Sequence, residues 1–99
     1  MAARYEGEKT NAAWASATES RIASVLAELQ RSDPSVTGEV QSHCKATICR
    51  IDASFPSQAQ ADTWVSMLMP MLGGVLNKAV VSRHEEGGGV AIVIYGSEH

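Results

Sequence analysis

The two cysteines of the chain, Cys44 and Cys49, lie five positions apart inside a run, 36–55, that otherwise alternates between drier and wetter residues. In one continuous strand, residues five apart point to opposite faces and sit about 16 Å from each other. A disulfide spans about 4.4–6.8 Å between Cα atoms. A straight strand therefore forbids a bridge, and a hairpin permits one. With Lys45-Ala46-Thr47-Ile48 as a four-residue loop, Cys44 faces Cys49, Ser42 faces Ile51, Val40 faces Ala53 and Gly38 faces Phe55. That register also gathers the drier residues of both strands on one side. The cysteine spacing does not impose this agreement, so it counts in favour of the hairpin. A bridge closing so short a loop would contribute on the order of 2 kcal/mol and would imply an oxidising compartment. The alternative is a pair of free, buried thiols in a cytoplasmic protein. Zinc is disfavoured, because two further ligands are needed and His43 points away from Cys44 in any strand. The spacing is not C-x-x-C, and no helix N-terminus adjoins the pair to stabilise a thiolate.

Around this run the chain divides clearly. Residues 1–9 are polar and of mixed charge and are expected to be a flexible leader. Trp14, Thr18, Ile22, Val25, Leu26 and Leu29 recur at the spacing of one helical face, with Thr10 or Asn11 as the cap and Ser32-Asp33-Pro34 as the stop, which predicts a helix over 11–31. Pro56 ends the second strand. Ser57 with Gln60 forms a capping box, and Ala61, Trp64, Val65, Leu68 and Leu72 form the stripe of a second helix over 58–72. Pro70 is expected to kink or shorten it, and Gly73-Gly74 to supply a left-handed terminal residue. Strands are predicted over 75–85 and 90–95, joined by Glu86-Gly87-Gly88-Gly89. The last strand is apolar on both faces, as a central strand would be. The order αββαββ predicts an α+β two-layer sandwich: a four-stranded, mainly antiparallel sheet with both helices on one face. It forms a single domain over 10–96 with a tail at 97–99.

The 99 residues carry a net charge of -3, with eight scattered Lys and Arg. Nucleic acid needs a clustered basic surface, so it is not expected as a partner. No apolar run approaches the roughly 18 residues of a bilayer span. Residues 1–9 lack the apolar core of a secretory signal. A cytoplasmic protein fits that, and so does an exported one whose signal has been removed.

The run Val40-Gln41-Ser42-His43-Cys44-Lys45-Ala46-Thr47-Ile48-Cys49-Arg50-Ile51 resembles the V-x-x-x-C-R-x-T-x-C-R-V pattern of small exported proteins and lipoproteins of proteobacteria, with Lys45 in place of the usual Arg. The helix before it, from Asn11-Ala12-Ala13-Trp14 to Leu29, is similar too, so the likeness covers about 11–55. It implies export to the periplasm or beyond and a paired Cys44 and Cys49. It implies no activity and no catalytic residue.

Nothing else in the chain reads as a catalytic, cofactor or metal site. The histidines at 43, 84 and 99 have no carboxylate or cysteine at ligand or triad spacing. The glycines after Glu85-Glu86 precede a strand, whereas a phosphate-binding loop needs a Lys, a Ser or Thr and a helix there. Met67, Met69 and Met71 read as core, and alternate helical positions cannot share one face. The surface of interest is the sheet face away from the helices, where Arg50, Asp52, Val80, His84, Ala91, Val93 and Tyr95 are expected together. Val80, Val93 and Tyr95 would form an apolar patch with a polar border, the kind that marks a protein partner or a self-contact. The expected function is that of a non-enzymatic, exported interaction or structural module that uses this face. The alternatives are a thiol redox or small-ligand enzyme using Cys44 and Cys49, and a cytoplasmic chaperone-like or antitoxin-like binder.

Overall fold

A computed structural model describes residues 2–32 and 39–97. In chain order the elements are α1 (Ala2–Gly7), α2 (Ala12–Ser32), β1 (Glu39–Cys44), β2 (Ile48–Phe55), α3 (Gln58–Leu72), β3 (Lys78–Glu86) and β4 (Gly89–Ser97). The strands form one antiparallel sheet in the order β1-β2-β4-β3. The long helices α2 and α3 lie on one face of it, as the αββαββ pattern requires. None of the described helices is long and apolar enough to cross a membrane.

The caps and stripes act where the residue types place them. Asn11 accepts the Trp14 amide through Oδ1, and Ser57 accepts the Gln60 amide through Oγ, so each helix starts on a satisfied donor. Ala15, Thr18, Ile22 and Leu29 of α2 meet Ala61, Trp64, Leu68 and Leu72 of α3 over Cys49, Ile51, Ala53, Phe55, Val90, Ile92 and Ile94 of the two central strands. Phe55 and Trp64 bring their rings to 5.2 Å between centroids. Met67, Met69 and Met71 are each half-buried against this core.

The β1/β2 register is the one that the cysteines and the apolar pattern demanded: Cys44 opposite Cys49, Ser42 opposite Ile51, Val40 opposite Ala53. Its fourth pair, Gly38 with Phe55, lies outside the described residues. Cys44 and Cys49 are joined by a disulfide, with Cα atoms 4.0 Å apart.

Five local expectations are revised. Pro70 does not end α3, which runs on to Leu72, because a proline so near the C-terminus removes only one bond of the ladder. The helix then closes with Gly73 at φ -57°, right-handed, its amide reaching back to Met69. The positive-φ glycines among the described residues are Gly87 and Gly88, at 53° and 87°. They make a two-residue turn of the kind that matches strand twist, so both strands of the second hairpin run closer together than expected, with Glu86 opposite Gly89. Val75 and Leu76 belong to the turn before β3 and are buried there. Residue 97, expected in the tail, is the last of β4: Ser97 is buried between Ile48 and Lys78. Beside it, Gly96 lets the Leu76 side chain approach to 2.9 Å of where a Cβ would stand.

The largest departure is at the other end. The segment 1–9, expected to have nothing to bury, carries α1, which lies against β2 on the face opposite α2 and α3.

Candidate functional site

The open sheet face and the hairpin tip meet at α1. Along β2, β4 and β3 the cross-strand rows on this face are Arg50, Tyr95 and Val80, then Asp52, Val93 and Ser82, then Ser54, Ala91 and His84. All six residues expected to meet a partner, Arg50, Asp52, Val80, His84, Val93 and Tyr95, therefore share one face. Their surroundings differ sharply. Tyr95 is only 9% exposed, because the Tyr5 ring of α1 packs edge-on against it at 5.7 Å and the Arg50 guanidinium lies 5.6 Å from its centroid. Ile48, on the same face, is fully buried. Val80 is 50% exposed, Val93 is half-buried and His84 is exposed. Tyr95 is thus part of the covered end of the face, and the apolar surface left open consists of Val80 and Val93.

Arg50 holds the covered end together. Its Nε donates to both oxygens of Asp52 at 3.0 and 3.1 Å, and its Nη1 donates to the Tyr95 hydroxyl at 3.2 Å. The hydrogen bond to Asp52 outweighs desolvation and keeps the guanidinium more basic than usual. Burial raises the Tyr5 phenol, with nearby Arg50 acting against it. At physiological pH both of these groups hold their ordinary charge, and their bonds and ring contacts position the side chains of the cluster.

At the hairpin tip the backbone donors are filled by Glu8. Its Oε1 accepts the amides of Ala46 and Thr47 at 3.1 and 2.8 Å, while its Oε2 accepts the Thr47 hydroxyl and Arg4 Nε. Arg4 also donates to Thr47 Oγ1 at 2.7 Å, and the Lys45 ammonium lies 5.1 Å from the Tyr5 ring centroid. Partial burial would raise the Glu8 carboxyl, but the bonds from Thr47, Arg4 and Ala46 prevail and hold it below its ordinary value. A second carboxylate, Glu19 of α2, accepts the Cys44 amide at 2.8 Å on the outer edge of β1. Between Glu19 and the tip lies a shallow cleft of about 370 Å³, lined by Tyr5, Ser16, Glu19, His43 and Lys45 among others.

Sequence reasoning missed Arg4, Tyr5, Glu8 and Glu19. One signal in the leader was Tyr5, an aromatic residue in an otherwise polar stretch. The Arg4/Glu8 spacing of a helical ion pair was a second, weaker one.

The disulfide lies beneath this apparatus. Cys44 is 5% exposed and lines the cleft just described, and Cys49 is fully buried. Among the described residues, no three of His, Cys, Asp and Glu come close enough to hold a metal ion. Neither the known protein families nor the curated proteins provide a match to this chain.

Proposed function

We propose that the chain is a non-enzymatic, exported domain that binds a protein through the part of its open sheet face that α1 leaves uncovered. The observation that carries this reading is the division of that face: one end is sealed by Tyr5 over Tyr95, and the other presents Val80 and Val93. Val80, half in solvent, is the one large apolar side chain classed as exposed among the described residues. Asp52 borders the patch with its charge already met by Arg50. A patch of this composition fits a partner surface that is apolar and uncharged. The buried disulfide favours export and a structural role for the cysteines, in line with the resemblance of residues 40–51 to exported proteobacterial proteins.

The test is site-specific photo-crosslinking in the native host, with the probe at Val93 and, as a control, at exposed Ser66 on α3. A discrete adduct from position 93 that disappears when Val80→Glu is added is the expected result. Adducts that are absent, or equal from both positions, would sink the proposal. The mass of freshly isolated protein after alkylation, with and without reductant, checks the export arm: free thiols would overturn it.

A further inference from the structure

The two edges of the sheet are treated differently. At β1 the outward amide of Cys44 is capped by Glu19, and the chain between α1 and α2 passes beside the strand end. At β3 nothing comparable is present among the described residues. β3 has nine residues, an uninterrupted register with β4, no proline and no bulge. Natural sheets blunt their edges with covers, prolines, bulges and charges, because an open ladder of donors and acceptors pairs with another strand; of these β3 carries charge alone, at Lys78, Arg83 and Glu85, with Arg83 paired to Asp62 of α3.

The direction of that ladder follows from the hairpin tip. The Lys45 amide bonds the Ile48 carbonyl, so the pair at 45 and 48 is hydrogen-bonded and the next pair, Cys44 with Cys49, is not. Cys49 then turns its backbone toward Gly96, and Ala79, opposite Gly96 in the next ladder, turns its own outward. By alternation Val81, Arg83 and Glu85 do the same. The two-residue turn at Gly87-Gly88 requires the same phase, since the pair that flanks such a turn is hydrogen-bonded.

We infer that β3 is the interface to a second copy of this chain, pairing antiparallel with itself about a twofold axis at Ser82 to make one continuous eight-stranded sheet. This is the one register that overlaps all nine residues while joining outward donors to outward acceptors. It sets Ser82 opposite Ser82, Val80 opposite His84 and Val81 opposite Arg83. Charge favours it as well, because the strand is basic at Lys78 and acidic at positions 85–86. Antiparallel pairing lays each end of one copy on its opposite in the other, whereas parallel pairing stacks like on like. A shift of two residues in either direction leaves two residues of each copy unpaired, and in one direction it also puts Arg83 opposite Arg83. The inference concerns the edge backbone and stands apart from the open-face reading.

Residue 82 faces itself across the axis, which makes the register testable by charge. Sedimentation of the wild-type chain should show a monomer–dimer equilibrium. Ser82→Lys alone and Ser82→Asp alone should each weaken the dimer at least tenfold, and an equimolar mixture of the two should restore it as a heterodimer. Residue-level hydrogen exchange should show the amides of Ala79, Val81, Arg83 and Glu85 becoming protected as concentration rises. Val93→Glu, one strand inward, should leave the dimer intact, so that failure of the open-face reading and failure of this one are distinguishable. A chain that stays monomeric at every concentration overturns the inference. So does a dimer in which those four amides remain unprotected, or one that the Lys and Asp mixture fails to rescue.

Discussion

Glu8 shows how one carboxylate can decide whether a segment is ordered. Residues 1–9 hold too little apolar area for burial to fix them, and Tyr5 alone would be a weak anchor. What the leader adds is a charged acceptor for two amides and a hydroxyl at the loop tip. Bonds of this kind to a charged group are worth more than neutral ones, although an ammonium or guanidinium near solvent is partly screened. We expect Glu8→Gln to cost about 1 kcal/mol at neutral pH. The sign with pH is fixed by the direction of the shift. The folded carboxyl titrates below its ordinary value of 4.5, so its stabilisation is complete above that value and is lost as pH falls through the folded pKa. Urea unfolding of both proteins from pH 7 to pH 3 should show a constant gap down to about that value and a closing gap below it. A gap independent of pH would mean that the charge of Glu8 contributes nothing.

At the scale of elements, the parts that could be read in the sequence are those whose signal is local. The stripe from Ala61 to Leu72 with its Ser57 cap, and the alternation from Cys49 to Phe55, specify their faces within a few residues. The cysteine pair added the register between two strands, which neither strand carries alone. Ser97, Gly73 and α1 were not legible, for different reasons. Ser97 looks like a tail residue until β2 is known to extend to Ile48, its partner. Gly73 could have adopted either hand, and the chain's route into the buried Val75 and Leu76 selects the right-handed one. α1 depends on acceptors and donors some 40 positions apart, which no periodicity reveals. Because the apolar pattern independently supports the β1/β2 register, the disulfide is not needed to specify it. Cys44→Ala with Cys49→Ala should therefore lower stability by about 2 kcal/mol, the value expected for closing so short a loop. The double variant should keep the native amide pattern in its nuclear magnetic resonance spectrum. Loss of the fold would show that the covalent link, rather than burial, sets the register.

On the scale of the whole molecule, the sheet is two-layered at one end and three-layered at the other. The six face residues could be grouped from alternation alone, yet their division into sealed and open could not, because the sealing ring comes from a segment with no apolar stripe of its own. Tyr95 was therefore legible as a member of the face but not as its covered end. The geometry of the seal also carries a time order. The contact between Glu8 and Thr47 joins positions 39 apart in sequence, and the surface it grips exists only once β1 and β2 have met and Tyr95 of β4 has been laid beside Arg50. A clasp that fits only a finished object cannot guide its making. Tyr5→Ala should accordingly leave the refolding rate unchanged in stopped-flow measurements and take its whole effect as faster unfolding. A slowed refolding limb would place the clasp in the nucleus. The clasp that seals the sheet is thus the last part of the fold to find its place, and the first to give it up.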